Sequence, residues 1–322
     1  MNIGRVLITL LFALVAFESA SPAQQGVEKI RIQTTLVNVP VIVTDRQGGS
    51  VPGLKAEDFT LYDDGVRQPL AFFAAVEEPI RIALLLDTSQ STRIVLDRIR
   101  NAAGGFVSQL RPQDQAMVVS FDSEVRVLCR FSSNQEQLKR AIRNAQVGDN
   151  VGTRMCDAVA EVAEKDLRPG QGRKAIVLLT DGQDYASRLS ADEMVSAVID
   201  SGVVVYPVYY RIDVRELSKK LFGLSLPKGA SGGGSWEESE KAAAALLLRL
   251  ADESAGGLYR SEVVDLKKTF ARVADGLRHQ YLLAFYPDPS RVDGMQHALK
   301  VTVARPDLVV RARSSYRASA VR

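Results

Sequence analysis

The sequence predicts an α/β protein in which a doubly wound, mostly parallel sheet is flanked by a smaller domain of β-strands. Residues 80–279 alternate short apolar runs with segments whose apolar residues recur at helical spacing. Residues 24–79 contain strand-like runs without a helical period, and residues 280–322 supply further alternating strands. Strands that alternate with helices form right-handed crossovers, which favour a parallel sheet covered by helices on both faces.

The N-terminal segment, residues 24–79, contains several strand-like runs. Ile30–Gln33 alternates, Leu36–Val43 is rich in Val and Ile, and Phe59–Tyr62 is a third run. The Asp64-Gly65 pair that follows is a strong hairpin signal. About 50 residues make a thin sandwich alone, so we expect partner strands from elsewhere in the chain.

The central region, residues 80–279, begins with a continuous apolar strand, Ile80–Leu86, as expected where both faces of a sheet are covered. The first helix is predicted from the spacing of Val95, Ile99, Ala102, Phe106 and Leu110. Further strands are predicted at Ala116–Phe121, Val125–Phe131, Lys174–Thr180, Val203–Tyr210 and Gly257–Tyr259, and helices near 134–146, 154–166, 190–201, 238–254 and 264–278. Pro227–Ser235 is a flexible loop by composition.

The C-terminal segment, residues 280–322, is predicted to hold strands at Gln280–Tyr286, Leu299–Val303 and Leu308–Tyr316. Our hypothesis is that these strands pair with residues 24–79 in one small β-sandwich-like domain, with the central region inserted between them. Two separate β-modules are the alternative.

Composition narrows the possible functions. Hydrophobic residues make up 46% and charged residues 25% of the 322 residues, which is typical of globular domains, and the length suggests two of them. The 41 Lys and Arg residues and the 38 Asp and Glu residues are interspersed, so we expect no nucleic-acid partner. With only His279 and His297, a His-rich zinc site is not expected.

Residues 1–23 have the pattern of a signal peptide. Arg5 precedes an apolar run, Val6–Phe17, and Ser21-Pro22-Ala23 places small residues before a cleavage site at Gln24. An uncleaved anchor is the alternative, although a membrane span needs about 20 apolar residues. We therefore expect a secreted or periplasmic protein with no membrane span after cleavage. Export permits a disulfide between Cys129 and Cys156, but their spacing does not decide between a bridge and two buried thiols.

Oxygen-bearing side chains follow two of the predicted strands. Asp87, Ser89 and Ser91 are spaced at i, i+2 and i+4 after the first buried strand, and Asp181 follows the strand that ends at Thr180. Thr153 lies in a loop directly before a helix. Ligands of open α/β sheets bind beyond the carboxyl ends of the strands. Five oxygen donors without sulfur or imidazole favour a hard cation, Mg²⁺ first and Mn²⁺ or Ca²⁺ next.

Each of these pieces has a structural alternative. Ser91 or Thr92 suits a helix N-cap, Thr153 suits the cap of its own helix, and Asp181-Gly182 suits an ordinary turn. Their combination, each at a strand or helix junction of one α/β region, favours the metal site.

The motif Asp87-Thr88-Ser89-Gln90-Ser91, together with Thr153 and Asp181-Gly182, resembles the metal-ion-dependent adhesion site of von Willebrand factor A domains. The resemblance covers about residues 80–279 and implies a Rossmann-like doubly wound fold. It also implies that Ser89, Ser91 and Thr153 bind the metal directly, whereas Asp87 and Asp181 act mostly through water. Val151 departs from the small residue found in many relatives, a difference that we expect to change nothing essential.

The flanking segments are similar to those of secreted, acidobacterial-type proteins related to von Willebrand factor A domains. The segments that carry this similarity are Val39–Asp45, Leu54–Tyr62, Asp64-Gly65 and Tyr281–Pro287.

We expect binding and not catalysis. Neutral hydroxyl ligands leave much of a cation's charge uncompensated, so an open coordination position attracts an Asp or Glu side chain of a protein partner. Gly229–Gly233 matches the hydrolase pattern G-x-S-x-G around Ser231, but it lacks the strand before it and the helix after it. A metal-independent structural or assembly module of the cell envelope is the main alternative, and a hydrolase is a weaker one.

Overall fold

Six helices and fourteen strands make up the regular structure of the described residues. The computed structural model describes residues 36–46, 49–74, 79–169, 172–211, 235–288 and 294–317. All of them fall in the second of the two units into which the chain divides, Gln33–Arg322. The predicted strand Ile30–Gln33, residues 227–234 of the predicted loop and the signal-peptide residues lie outside the described residues.

The strands are β1 (Val37–Thr44), β2 (Phe59–Asp63), β3 (Val66–Gln68), β4 (Phe72–Ala74), β5 (Ile80–Asp87), β6 (Gln115–Phe121), β7 (Val125–Ser132), β8 (Arg173–Thr180), β9 (Val204–Arg211), β10 (Tyr259–Glu262), β11 (Gln280–Phe285), β12 (Gln296–Val303), β13 (Val309–Ala312) and β14 (Ser315–Arg317). The helices are α1 (Leu96–Val107), α2 (Gln135–Arg143), α3 (Met155–Glu161), α4 (Ala191–Ser201), α5 (Ser235–Glu253) and α6 (Leu266–Arg278). A wider helical turn, Val162–Leu167, continues α3.

The central sheet contains six of the described strands, in the order β10-β9-β8-β5-β6-β7. All neighbours are parallel except β6 and β7, which form an antiparallel edge hairpin. Every residue of β8 is buried, which explains the apolar run Ala175–Leu179 in its middle. The predicted α/β fold class is therefore confirmed.

Helices cover both faces of this sheet. On one face α1, α2 and α6 supply side chains such as Phe106, Ile142 and Phe270 to a continuous apolar core. On the other face α3, α4 and α5 supply a second core, with Val159 and Leu250 among its members. Because apolar side chains fill both faces of the sheet, polar side chains lie mainly at the ends of the strands. The candidate site is at their carboxyl ends.

The terminal segments form two further sheets, with strand orders β13-β1-β11-β4 and β14-β12-β2-β3 among the described residues. In both of them N-terminal strands pair with C-terminal strands, β1 with β11 and β13, and β2 with β12. Val39, Leu61, Tyr281, Phe285 and Tyr316 lie in the shared core. The domain boundaries at residues 79 and 279 stay a prediction.

Two elements differ from their predicted form. The alternating run Leu308–Tyr316 is not one strand, because the chain leaves β13 and enters β14 in the other sheet. Between them the buried side chain of Arg313 donates a hydrogen bond to the Ile199 carbonyl, 3.1 Å away, at the end of α4. The last central strand, predicted at Gly257–Tyr259, begins at Tyr259.

Both cysteines, Cys129 and Cys156, are buried and free. Burial raises the pKa of each thiol, and the charge of Asp184 adds to the effect at Cys156. Among the described helices, none is long and apolar enough to cross a membrane.

Candidate functional site

Asp87, the last residue of β5, is fully buried beneath the candidate site. Its Oδ1 accepts hydrogen bonds from the Ser89 amide at 3.0 Å and from the Ser89 Oγ at 2.5 Å. Its Oδ2 accepts a hydrogen bond from the Thr180 Oγ1 at 2.9 Å. The carboxylate thus joins the end of β5 to the end of the neighbouring strand β8.

The polar contacts continue outward to the surface. The Oγ atoms of Ser89 and Ser91 are 3.1 Å apart, and the Ser91 Oγ donates to Asp181 Oδ2 at 2.7 Å. Ser89 is buried, Asp181 is partly exposed and Ser91 is exposed. Four of the five predicted ligands therefore lie in one hydrogen-bonded chain that runs from the core to solvent.

The two carboxylates of this hydrogen-bonded chain, those of Asp87 and Asp181, repel each other. Burial, followed by the negative charge of Asp181, raises the pKa of Asp87 to about 7, and hydrogen bonds from Ser89 and Thr180 oppose the shift. A positive charge placed among these groups would relieve the repulsion.

Thr153 is buried in the loop that precedes α3. Its carbonyl accepts hydrogen bonds from the amides of Tyr185 and Ala186, both at 3.1 Å, which joins this loop to the one that carries Asp181. In the described part of the chain no hydrogen bond connects its hydroxyl to the other four predicted residues. Thr153 is thus on the adjoining loop and outside the hydrogen-bonded chain.

The helix-cap interpretations of the site residues are wrong. The N-cap of α3 is Arg154, and no side chain accepts a capping hydrogen bond there. The 3-10 turn Gln90–Thr92 begins after Ser89, again without a side-chain cap, and α1 begins after Val95. Neither Ser91 nor Thr153 is therefore explained by capping.

Asp122 contacts two loops of the candidate site, and the sequence patterns did not single it out. It is fully buried directly after β6, and its carboxylate accepts hydrogen bonds from Thr88 Oγ1 at 3.0 Å, the Glu124 amide at 3.0 Å and Arg126 Nη1 at 2.5 Å. Its carbonyl accepts the Arg154 amide at 2.8 Å. Asp122 thus joins the loops that carry Ser89 and Thr153. The sequence signal that could have identified it is a third apolar strand followed directly by an aspartate.

Two more carboxylates join the Thr153 and Asp181 loops. Asp184 accepts hydrogen bonds from the Cys156 amide at 2.7 Å and from the Ser187 Oγ at 2.7 Å. Asp157, in α3, accepts the amides of Arg188 and Leu189. These bonds hold the two loops together across the mouth of the site.

Gly182 seats the Asp181 loop against α5. Its φ is +80°, and a Cβ there would lie 2.8 Å from the Ala243 Cβ and 3.3 Å from Leu247 Cδ1. Only glycine adopts this conformation without strain, and the space next to it is filled.

We expect Gly182→Ala to lower the free energy of unfolding by about 2–3 kcal/mol, because left-handed strain of about 1–2 kcal/mol is joined by the clash with Ala243. Gly53→Ala is the matched control, since Gly53 has a φ of +82° and no atom within 4 Å of its Cβ position. Denaturant unfolding of both variants checks this. Equal losses in the two variants would contradict tight packing of the Asp181 loop.

A second group of possible metal ligands lies in the small β-domain. Asp63, Asp64 and His297 have ligand atoms within 4.8 Å of one another. His297 Nδ1 is 3.0 Å from Asp64 Oδ2, Asp64 Oδ1 accepts the Ala298 amide at 2.8 Å, and Asp63 Oδ2 accepts the Tyr316 hydroxyl at 3.0 Å. These bonds tie the β2–β3 hairpin to β12 and β14, which is a structural role. The group shares no residue with the predicted site.

Residues 82–224 match the family model of the von Willebrand factor type A domain. The chain therefore contains such a domain, in agreement with the six-stranded sheet described above. No curated protein matches the sequence.

Several solved structures are similar to this chain at low sequence identity. Proximal thread matrix protein 1 from the mussel byssus, solved with a zinc-occupied MIDAS motif, is 16% identical, with a TM-score of 0.49 over 67% of this chain and 49% of that chain. The chain thus spans about half the length of the mussel protein. An aerotolerance-related membrane protein from Bacteroides fragilis is 16% identical, with a TM-score of 0.46 over 62% and 98% of the two chains. The vWF domain of the type V pili tip protein Mfa5 from Porphyromonas gingivalis is 12% identical, with a TM-score of 0.45 over 61% and 94%.

Proposed function

We propose that this chain is an exported, metal-dependent protein-binding module of the adhesion type. Ser89, Ser91 and Thr153 would bind a divalent cation directly, with Asp87 and Asp181 acting through water. Mg²⁺ is the first choice, with Mn²⁺ or Ca²⁺ as substitutes, because every donor is an uncharged or carboxylate oxygen. When bound, the cation would supply an open coordination position for an Asp or Glu side chain of the partner.

The observation that carries the proposal is the hydrogen-bonded chain from Asp87 through Ser89 and Ser91 to Asp181. The Ser89 hydroxyl lies 2.5 Å from Asp87 Oδ1, and the Ser91 hydroxyl lies 2.7 Å from Asp181 Oδ2. The two hydroxyl oxygens are 3.1 Å apart, and either hydroxyl can donate to the other. Two hydroxyl oxygens beside two carboxylates are a donor set that fits a hard cation.

No described contact favours a hydrolase. His279 Nδ1 lies 2.8 Å from the Asp275 carbonyl at the end of α6, and His297 pairs with Asp64 in the small β-domain. Ser231, the nucleophile of the alternative, lies outside the described residues. A non-enzymatic role is therefore the better supported proposal.

Calorimetric titration with Mg²⁺ and with Mn²⁺ tests the proposal. We expect saturable binding by the wild-type chain, and affinity at least about tenfold weaker for Thr153→Ala, which removes one proposed ligand. Asp97→Asn, on the exposed face of α1, is the control and should bind as the wild type does. Absence of a metal-dependent signal in the wild type would favour the metal-independent structural module.

A further inference from the structure

Each of the three loops that carry the site also exposes a large apolar side chain. Ile94 is 61% exposed, Val151 is 91% exposed and Tyr185 is 71% exposed. Scattered apolar residues on a surface are ordinary. These three, which we call the apolar rim, are each within four residues of a proposed ligand: Ser91, Thr153 and Asp181.

Hydrogen bonds and close packing connect the three loops that carry the rim. The Gln90 side chain donates a hydrogen bond to the Gly148 carbonyl, which ties the Ser91 loop to the Val151 loop. The Tyr185 amide donates to Thr153, and a Cβ on Gly152 would lie 3.0 Å from the Ala186 Cβ. Val151 and Tyr185 are therefore on neighbouring backbones at the mouth of the site.

The side chain of Tyr185 is held in place although most of it is exposed. Its hydroxyl donates to Gln183 Oε1 at 2.7 Å, and the same oxygen accepts the Ser239 hydroxyl of α5 at 2.9 Å. A ring fixed at its hydroxyl loses little rotamer freedom on binding, so it offers contact area at low entropic cost.

The charges around the rim suit an acidic partner. Arg93 and Arg188 are exposed on the loops of Ile94 and Tyr185, while Asp149 is the exposed carboxylate beside Val151. The two guanidinium groups add to the attraction that a cation would exert on an anionic ligand, and they are opposed by the exposed Asp149 and by the partly exposed Asp181 of the site itself.

We propose that the partner is a protein segment in which an Asp or Glu is flanked by large apolar side chains, and that these contact the apolar rim while the carboxylate enters the site. This inference rests on the proposed function and names the ligand chemistry of the same site. It also gives Val151 a role: a small residue at this position would remove the most exposed member of the rim.

A peptide library displayed on phage is the probe, selected on the chain in the presence of Mg²⁺ and eluted with EDTA. We expect enriched peptides to contain one acidic residue next to Leu, Ile, Phe or Tyr. A synthetic copy of such a peptide should bind the double variant Val151→Ser/Tyr185→Ser at least about tenfold more weakly than it binds the wild type. Val127→Ser, which removes a 44% exposed apolar side chain on β7, is the control.

Calorimetry with Mg²⁺ alone separates the two proposals. The rim variant should bind Mg²⁺ with wild-type affinity, since none of its changes touches a proposed ligand. Two results would contradict a role for the apolar rim and leave the proposed metal site unaffected. One is selection of metal-dependent peptides whose acidic residue lies among polar residues, and the other is equally tight binding of a peptide to the rim variant and to the wild type. Failure of the wild type to bind Mg²⁺ would overturn both.

Discussion

Replacement of Asp122 by alanine is expected to weaken Mg²⁺ binding about 10- to 100-fold and to lower the free energy of unfolding by about 2–4 kcal/mol. The fully buried carboxylate holds Thr88, Glu124 and Arg126. Its loss removes the acceptor of the Glu124 amide and one of the two acceptors of the buried Thr88 hydroxyl, which loosens the loop that carries Ser89, whereas the bond from the Arg154 amide to the Asp122 carbonyl is retained. Calorimetry with Mg²⁺ and denaturant unfolding measure the two effects.

Asp114→Ala is the matched control for Asp122→Ala. Asp114 is also buried and accepts the Ile80 amide at 3.1 Å and the Arg111 amide at 2.9 Å, but it lies at the start of β6, the opposite end of the sheet from the site. We expect a comparable loss of stability with unchanged Mg²⁺ affinity. Equal Mg²⁺ affinities in the two variants would contradict a positioning role for Asp122.

Replacement of Gly256 by alanine is expected to cost at least about 4 kcal/mol, a large part of the stability of an ordinary domain. A Cβ at Gly256 would lie 1.8 Å from the Val205 carbonyl oxygen and 2.8 Å from its carbon. Val205 belongs to β9, inside the central sheet, so its backbone cannot move without breaking the pairing with β8. The variant should be insoluble or should melt far below the wild type.

Gly104→Ala gives the opposite expectation with the same chemical change. Gly104 lies in α1 and has no atom within 4 Å of its Cβ position, so alanine should stabilise the helix by about 0.5–1 kcal/mol. Thermal unfolding of both variants checks the pair. A Gly256→Ala chain as stable as the wild type would contradict the close approach of this segment to β9.

The fold class could be predicted because its signals are local. The apolar runs Ile82–Leu86 in β5 and Ala175–Leu179 in β8 indicate strands covered on both faces, and parallel strands bring their carboxyl ends to one edge. Asp87 and Asp181 lie at the ends of these two strands, so their proximity could be inferred from the sequence alone. The alternation at Ser89 and Ser91 placed both hydroxyls beside them.

The features that could not be predicted depend on contacts between distant segments. Asp122 acquires its role from Thr88 and Arg154, which belong to two other loops. The break between β13 and β14 follows from the burial of Arg313 against the end of α4, and no local pattern encodes that contact. Val151 was expected to change nothing, and only its exposure indicates a surface role.

The most direct test of the metal site is the anomalous difference map of a crystal soaked in Mn²⁺. We predict one peak within about 2.5 Å of the hydroxyl oxygens of Ser89, Ser91 and Thr153. A peak instead beside Asp63, Asp64 and His297, or no peak at either place with the crystal order intact, would contradict the proposed site.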